Sequence, residues 1–121
     1  MRKYLDINLD LKTVSESNCF EHWTVKSKRH REQKKAIWAE FKRIQPIISL
    51  PSIVKLTRTG KRLLDDDNLP SSLKWIRDAV AEEVFPGLRP GQADGKEGLT
   101  WAYAQRTGKT YAVQIEVFKL D

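Results

Sequence analysis

The chain has 121 residues, 40% of them hydrophobic, and a formal net charge of +6. This length predicts one domain over residues 1–121, and the positive charge indicates a polyanionic partner, nucleic acid before an anionic membrane surface. The sequence contains no signal peptide and no apolar run near the roughly 20 residues that span a bilayer, so we expect a soluble, cytoplasmic protein. The single Cys19 excludes an internal disulfide.

The first half of the chain predicts a strand followed by a long basic helix. Hydrophobic and polar residues alternate from Leu5 to Leu11, a pattern typical of a strand with one buried face. No Gly or Pro occurs between Asn18 and Gln45, so one long helix or two helices in tandem are expected there, ending before Pro46. Only its second half carries an apolar stripe at helical spacing, made by Ile37, Phe41 and Ile44.

The second half predicts a strand over Ser52–Arg58, a helix from about Leu69 to Pro86, an irregular loop, and two closing strands. The closing strands begin near Leu99 and Tyr111. The short segment 107–109 between them is typical of a β-hairpin. The resulting order, β-α-β-α-β-β, predicts an α+β fold, a mixed sheet with the helices packed on one face.

Three aspartates and an asparagine, Asp65 to Asn68, form an acidic run in an otherwise basic chain. Adjacent like charges repel and therefore require a cation or water. On an extended backbone Asp65 and Asp67 face the same way, and a loop carboxylate such as Asp94 can join them. Such a set suits Mg²⁺, which can polarise a phosphodiester and orient or deprotonate water.

The alternative interpretation of the acidic run is a helix cap. Asp and Asn are favoured at helix N-termini, and Asn68 as the cap places Pro70 in the first turn, where its missing N–H costs nothing. A cap needs only one such residue, so three aspartates exceed the need. An EF-hand is excluded because Pro70 stands where the loop requires Gly and Ile76 where it requires Glu.

The acidic run and Leu69 together resemble the Asp-x-Asp-Asn-Leu motif of RusA-type Holliday junction resolvases, and the segment from Lys74 to Val80 is similar to the family's Lys-x-x-x-Asp-Ala-Leu pattern. The similarity covers about residues 53–117, and residues 21–23 with the basic helix are similar to phage and prophage members. The resemblance implies a small homodimer that cuts four-way DNA junctions in recombination and repair, using Mg²⁺ or Mn²⁺.

The resemblance also implies which residues form the active site. Metal ligands would be Asp65, Asp67 and Asp94, and these three with Lys74 would be the catalytic residues. The family's lysine follows the second motif Asp by four residues, where this chain has Ser71. Lys74 lies three residues later but keeps the family's spacing to Asp78, so it is either the catalytic lysine or a solvent or DNA contact. Glu97 is an alternative to Asp94.

The basic segment from Lys26 to Arg43 holds eight Lys or Arg residues against two Glu. It is expected to contact DNA phosphates, and its alternative is a solvated helix face. Trp23 is the candidate for stacking on a base, whereas Trp38 and Trp101 are expected to be packing residues. The predicted DNA-binding residues are Trp23, Lys26, Arg29, Arg31, Lys34, Lys35, Arg58, Lys61 and Arg62.

The sequence therefore favours a metal-dependent endodeoxyribonuclease that resolves branched DNA by paired cuts. One alternative is a non-catalytic DNA-binding protein that uses the basic helix, with the aspartates as cap and solvated turn. The other is a nuclease whose substrates are flaps, forks or further branched DNA.

Overall fold

The computed structural model describes residues 2–15, 22–86 and 97–120. Its elements are β1 (Lys3–Leu9), α1 (Trp23–Ile44), β2 (Ser52–Gly60), α2 (Asn68–Ser72), α3 (Lys74–Val84), β3 (Leu99–Thr107) and β4 (Ala112–Lys119). The predicted second helix is thus two helices. They meet at Leu73, whose N–H donates to the Pro70 carbonyl oxygen at 3.1 Å in a tighter turn than an α-helix makes.

The four strands form one mixed sheet in the order β1-β4-β2-β3. β4 is antiparallel to both β1 and β2, and β2 is parallel to β3. The predicted hairpin between β3 and β4 is wrong, because β2 lies between them. Residues 108–111 cross the end of β2, where the Gly108 N–H donates to the Gly60 carbonyl oxygen at 3.0 Å. Four residues are enough to bridge two strand spacings, about 10 Å.

The core lies between one face of the sheet and the helices, as predicted. On the strands the alternation places every second side chain on this face, where burial of each large aliphatic group contributes roughly 1.5–3 kcal/mol. The buried cluster includes Leu5, Ile7 and Leu9 of β1, Val54 and Leu56 of β2, Val113, Ile115 and Val117 of β4, Ile37 and Phe41 of α1, and Leu73, Ile76 and Val80 beside and within α3.

The opposite face of the sheet, here called the open face, is largely polar. Lys3 pairs with Glu116 at 2.7 Å, and Gln114 donates to Asp6 at 2.9 Å. Among the helices that the structure describes, none combines the length and the apolar character that crossing a bilayer requires.

The strand directions fix which ends of the chain segments meet. Because β4 is antiparallel to both β1 and β2, the strands β1, β2 and β3 all run the same way. Their carboxyl ends, near Leu9, Gly60 and Thr107, therefore share one edge of the sheet, called the upper edge. α1 and α3 each lead back from this edge to the start of the next strand. At the opposite, lower edge, Gly98 has a φ of 90° and accepts a hydrogen bond from the Ser52 N–H.

Candidate metal and nucleic-acid site

The acidic run forms a turn rather than the extended segment that we predicted. The Asp65 carbonyl oxygen accepts hydrogen bonds from the N–H groups of Asn68 at 2.9 Å and Leu69 at 3.0 Å, and Asp67 has helical φ and ψ angles. The alternation expected for Asp65 and Asp67 on an extended backbone therefore does not apply. All three aspartates are exposed, and no Lys, Arg or His within the described ranges forms an ion pair with them.

The capping alternative placed the cap at Asn68, but α2 begins at Asn68 and its N-cap position is Asp67. Asp67 precedes α2, but its side chain accepts no bond from the helix backbone. The Asn68 side chain instead accepts a hydrogen bond from the Ser15 hydroxyl at 2.9 Å. Pro70 does lie in the first turn of α2, as that interpretation required. The run thus begins a helix without using its carboxylates to cap it.

The backbone before the acidic run is held by two side chains from the sheet. The Gln105 amide of β3 accepts from the Leu64 N–H and donates to the Leu64 carbonyl oxygen, both at 2.8 Å. The Arg58 guanidinium of β2 donates to the Arg62 carbonyl oxygen at 3.0 Å. Together with the bond from Ser15 to Asn68, these contacts fix the chain on both sides of the aspartates.

Arg58 is a correction to the predicted DNA surface. It is only 5% exposed, and burial lowers the pKa of its guanidinium, while the nearby Tyr111 acts in the opposite direction. Its side chain lies on the core side of β2, in the register that also contains Leu56 and Val54, so it cannot present a charge to DNA in this structure. The sequence showed its strand but not that its face was the buried one.

The predicted third ligand, Asp94, lies outside the described residues. Gly98, which follows that segment, lies at the lower edge, about 26 Å from the upper edge along the nine residues of β2. Within residues 2–15, 22–86 and 97–120, no three His, Cys, Asp or Glu side chains are grouped so that they could share a metal ion. The exposed carboxylates of Asp65 and Asp67 still suit magnesium, which is commonly held by one or two carboxylates and several waters.

Basic and aromatic side chains also lie at the upper edge. Lys61 and Arg62 directly follow β2 and are exposed. The ammonium groups of Lys12 and Lys61 lie 4.9 and 5.8 Å from the centroid of the Tyr111 ring. Sequence reasoning missed Lys12 and Tyr111 because neither belongs to a motif. The signal that could have found them is their position at strand ends, which is informative only once the strand directions are known.

The basic half of α1, residues 23–35, begins at this same edge. It faces the segment after β1 across a cleft of about 360 Å³, lined by Asp10 and Lys12 on one side and by Lys28 and Arg29 on the other. The predicted DNA contacts of this helix differ in exposure. Arg31 and Lys35 are exposed and Trp23 is 69% exposed, whereas Lys26 and Arg29 are half-buried. Lys34 pairs with Glu82 at 2.9 Å. His22 caps the helix by accepting from the Thr24 N–H.

Lys74 begins α3 and is exposed, with its ammonium 5.1 Å from the centroid of the Trp75 ring. Trp75 in turn stacks on His30 of α1, with ring centroids 3.8 Å apart. Lys74 follows Asp67 by seven positions of largely helical chain, a rise of roughly 10 Å. The start of α3 therefore connects the acidic run to the basic half of α1.

The two tryptophans predicted to pack differ. Trp101 packs against the core, with the Arg77 guanidinium 4.8 Å from its ring centroid, so that prediction is confirmed. Trp38 is 50% exposed, so its predicted packing role is wrong. It follows the buried Ile37 directly, and one helical position rotates a side chain by about 100°, away from the apolar stripe.

Comparisons of the chain with models of known protein families, with curated proteins and with solved structures gave no match. The upper edge is the feature of the molecule that bears most on function, because both the acidic turn and the start of the basic helix lie there.

Proposed function

We propose that this protein is a metal-dependent endodeoxyribonuclease that resolves Holliday junctions or related branched DNA by hydrolysing paired phosphodiesters. One observation supports the proposal most: exposed carboxylates without an ion-pair partner among the described residues lie at the same edge as an exposed basic helix. The chain has a net charge of +6, yet Asp65, Asp66 and Asp67 form no ion pair with any described side chain. Their negative charge therefore remains available to bind another cation.

Asp65 and Asp67 would hold Mg²⁺ or Mn²⁺ together with several waters. Asp94, the third carboxylate that the RusA resemblance implies, lies outside the described residues. The bound ion would supply Lewis acidity and an activated water for attack on phosphorus. The protein's own side chains bind and orient the DNA. Lys61 and Arg62 neutralise phosphates next to the carboxylates, and the exposed cations of α1 bind backbone farther along an arm of the junction.

Lys74 completes this set. Its ammonium is exposed at the start of α3, seven positions after Asp67, and would contact a phosphate that approaches the acidic run. In the RusA-like interpretation it is the catalytic lysine, and it stabilises negative charge on the phosphate as the bond to the leaving oxygen breaks. Trp23, exposed at the amino end of α1, is placed to stack on a base opened at the branch point.

Symmetrical cuts across a junction require two such centres, and the resemblance supports a homodimer related by a two-fold axis. The enzyme would act in recombination and repair in the cytoplasm of a bacterial or phage-infected cell. The main rival is a DNA-binding protein without catalysis. That rival explains the aspartates as a cap and a solvated turn. Asp67 makes no side-chain cap, but the run does form an exposed turn, so cleavage rather than geometry separates the two functions.

The test is cleavage of an end-labelled synthetic four-way junction in Mg²⁺, in Mn²⁺ and in EDTA, with wild-type protein and Asp67→Asn. Linear duplex, flap and fork substrates of the same sequence serve as controls. Paired cuts in the junction, dependent on metal and lost in the variant, are the expected result. Cleavage confined to flaps or forks would retain the nuclease and change its substrate. Tight binding without cleavage under either metal would establish the DNA-binding rival.

A further inference from the structure

Two neighbouring side chains of the sheet hold the loop that leads into the acidic run. Arg58 of β2 and Gln105 of β3 are partners in the parallel register, so their side chains lie on the same face. Both reach the loop 61–64 at the upper edge, one at Arg62 and the other at Leu64. A hypothetical Cβ on Gly60 would lie 2.5 Å from the Arg58 guanidinium nitrogens, so glycine leaves the room that this guanidinium occupies.

Gln105 makes the more specific of the two contacts. Its amide oxygen and nitrogen bond the N–H and the carbonyl oxygen of Leu64, each at 2.8 Å, so it holds the peptide groups on both sides of one residue. The Leu64 carbonyl belongs to the peptide that enters Asp65. Asp65 in turn accepts the hydrogen bonds that close the turn into α2. A continuous series of hydrogen bonds therefore leads from β3 through Leu64 and Asp65 to the start of the helix.

We propose that Gln105 is a positioning residue that presets the acidic run for its cation. This inference rests on the proposed function. Exposed carboxylates on a turn must be ordered before they can share an ion, and a backbone already held in place lowers that cost. Side chains that orient metal ligands without touching the metal typically change affinity by about 10–100-fold when they are replaced. Gln105 would orient the aspartates through the backbone of Leu64, and it lies on β3, a strand that contributes none of the aspartates.

The test compares Gln105→Met with Gln114→Met. Methionine is unbranched and of similar length, and it removes both hydrogen bonds to Leu64. Gln114 is the matched control, because it lies on the open face, opposite to Gln105, and bonds Asp6 at 2.9 Å and Arg106 at 3.2 Å rather than the loop 61–64. Mn²⁺ affinity is measured on DNA-free protein from the EPR signal of free Mn²⁺, followed by kcat and KM for the four-way junction over a range of Mg²⁺ concentrations.

Gln105→Met is expected to weaken Mn²⁺ binding about 10-fold. It should also lower kcat at low Mg²⁺, with recovery at high Mg²⁺, and leave KM for the junction unchanged. Gln114→Met is expected to change thermal stability without altering either the metal affinity or the Mg²⁺ requirement. If Gln105 had a merely structural role, Gln105→Met would change the unfolding temperature and leave the Mn²⁺ affinity and the Mg²⁺ requirement unchanged. Gln105→Thr, which suits a strand and cannot reach Leu64, provides a second variant if the first does not fold.

The failures of the two proposals are distinguishable. Equal Mn²⁺ affinity and equal Mg²⁺ requirement in wild type and a folded Gln105 variant would overturn the positioning role and leave the nuclease intact. A wild-type protein that neither binds Mn²⁺ nor cleaves the junction would overturn the proposed function and the positioning role with it.

Discussion

His30 of α1 and Trp75 of α3 stack with their ring centroids 3.8 Å apart and their planes inclined by 24°. The first half of α1 has no apolar stripe, and its hydrophobic residues Trp23 and Val25 are exposed. The stack therefore holds the basic half of α1 against α3, the second helix after the acidic run. It does so with a polar ring where most helices would use an aliphatic contact.

A double-mutant cycle on His30→Ala and Trp75→Ala is expected to give a coupling energy of about 1 kcal/mol, the usual strength of an aromatic pair beyond its buried area. Chemical denaturation of the four proteins measures it. His30→Ala with Trp38→Ala is the control cycle, because Trp38 lies eight residues away on the same helix, roughly 12 Å along its axis. Coupling as large in the control cycle would show that the stack is not the source.

Substitution within the acidic run should separate activity from stability. Asp65→Asn and Asp67→Asn are expected to abolish metal-dependent cleavage, because each removes a ligand charge from the cation. All three aspartates are exposed, so the free energy of unfolding should change by no more than about 0.5 kcal/mol. Asp66→Asn is the matched control and should retain cleavage, because Asp66 occupies the variable position of the Asp-x-Asp-Asn-Leu motif that the run resembles. Equal loss in all three variants would mean that local charge, rather than specific ligands, matters.

The basic half of α1 should determine how junction affinity depends on salt. Replacing Lys26, Arg31 and Lys35 together by Gln is expected to weaken binding and to reduce the slope of log K against log salt by about 0.9 for each phosphate that the variant no longer neutralises. Lys55→Gln is the control, because Lys55 is exposed on the open face of the sheet. Lys34→Gln should have a smaller effect, since Lys34 already pairs with Glu82. An unchanged slope in the triple variant would place DNA elsewhere.

Glu83 predicts a pH effect on stability. Burial raises the pKa of its carboxyl above the ordinary 4.5, against an opposing effect of the Lys42 charge. The folded state thus binds the proton more tightly than the unfolded state. The associated stability is fully present below pH 4.5 and is lost as the pH rises through the higher folded value. Glu83→Gln should therefore stabilise the protein at pH 7 by about 0.5 kcal/mol or less and have little effect below pH 4.

The neighbouring glutamate gives the contrast. Glu82→Gln removes the charge that pairs with Lys34 at 2.9 Å and should slightly destabilise the protein at pH 7. Thermal unfolding of both variants at pH 7 and pH 3.5 measures the difference. A Glu83→Gln variant less stable than wild type at pH 7 would contradict the assignment of burial as the dominant influence.

Periodicity predicted the four strands, the first long helix and the buried faces, but not the division of the second helix into α2 and α3. The alternation of Leu5, Ile7 and Leu9 and the helical spacing of Ile37 and Phe41 both correspond to buried faces. Strand order was not predictable in the same way. β3 and β4 follow each other with a short connection, which favours a hairpin locally, but both pair with β2. The pairing of both strands with β2 depends on contacts between residues distant in sequence, and local patterns do not contain that information.

The candidate site was predictable in its residue types and less so in its geometry. The acidic run was found from charge alone. Its turn conformation is defined by hydrogen bonds from Asn68 and Leu69 to Asp65, and its support comes from Gln105, 41 residues from Leu64 in sequence. The burial of Arg58 likewise depended on which face of β2 met the helices.

The most direct test of the metal site is a two-dimensional NMR spectrum of the ¹⁵N-labelled protein during titration with Mn²⁺, whose unpaired electrons broaden nearby amide signals. The expected result is that signals of residues 61–69 broaden first and that Asp65→Asn with Asp67→Asn removes this effect. Strongest broadening at the open face near Asp6 and Glu116, or equal broadening throughout the chain, would contradict a metal centre at the acidic run.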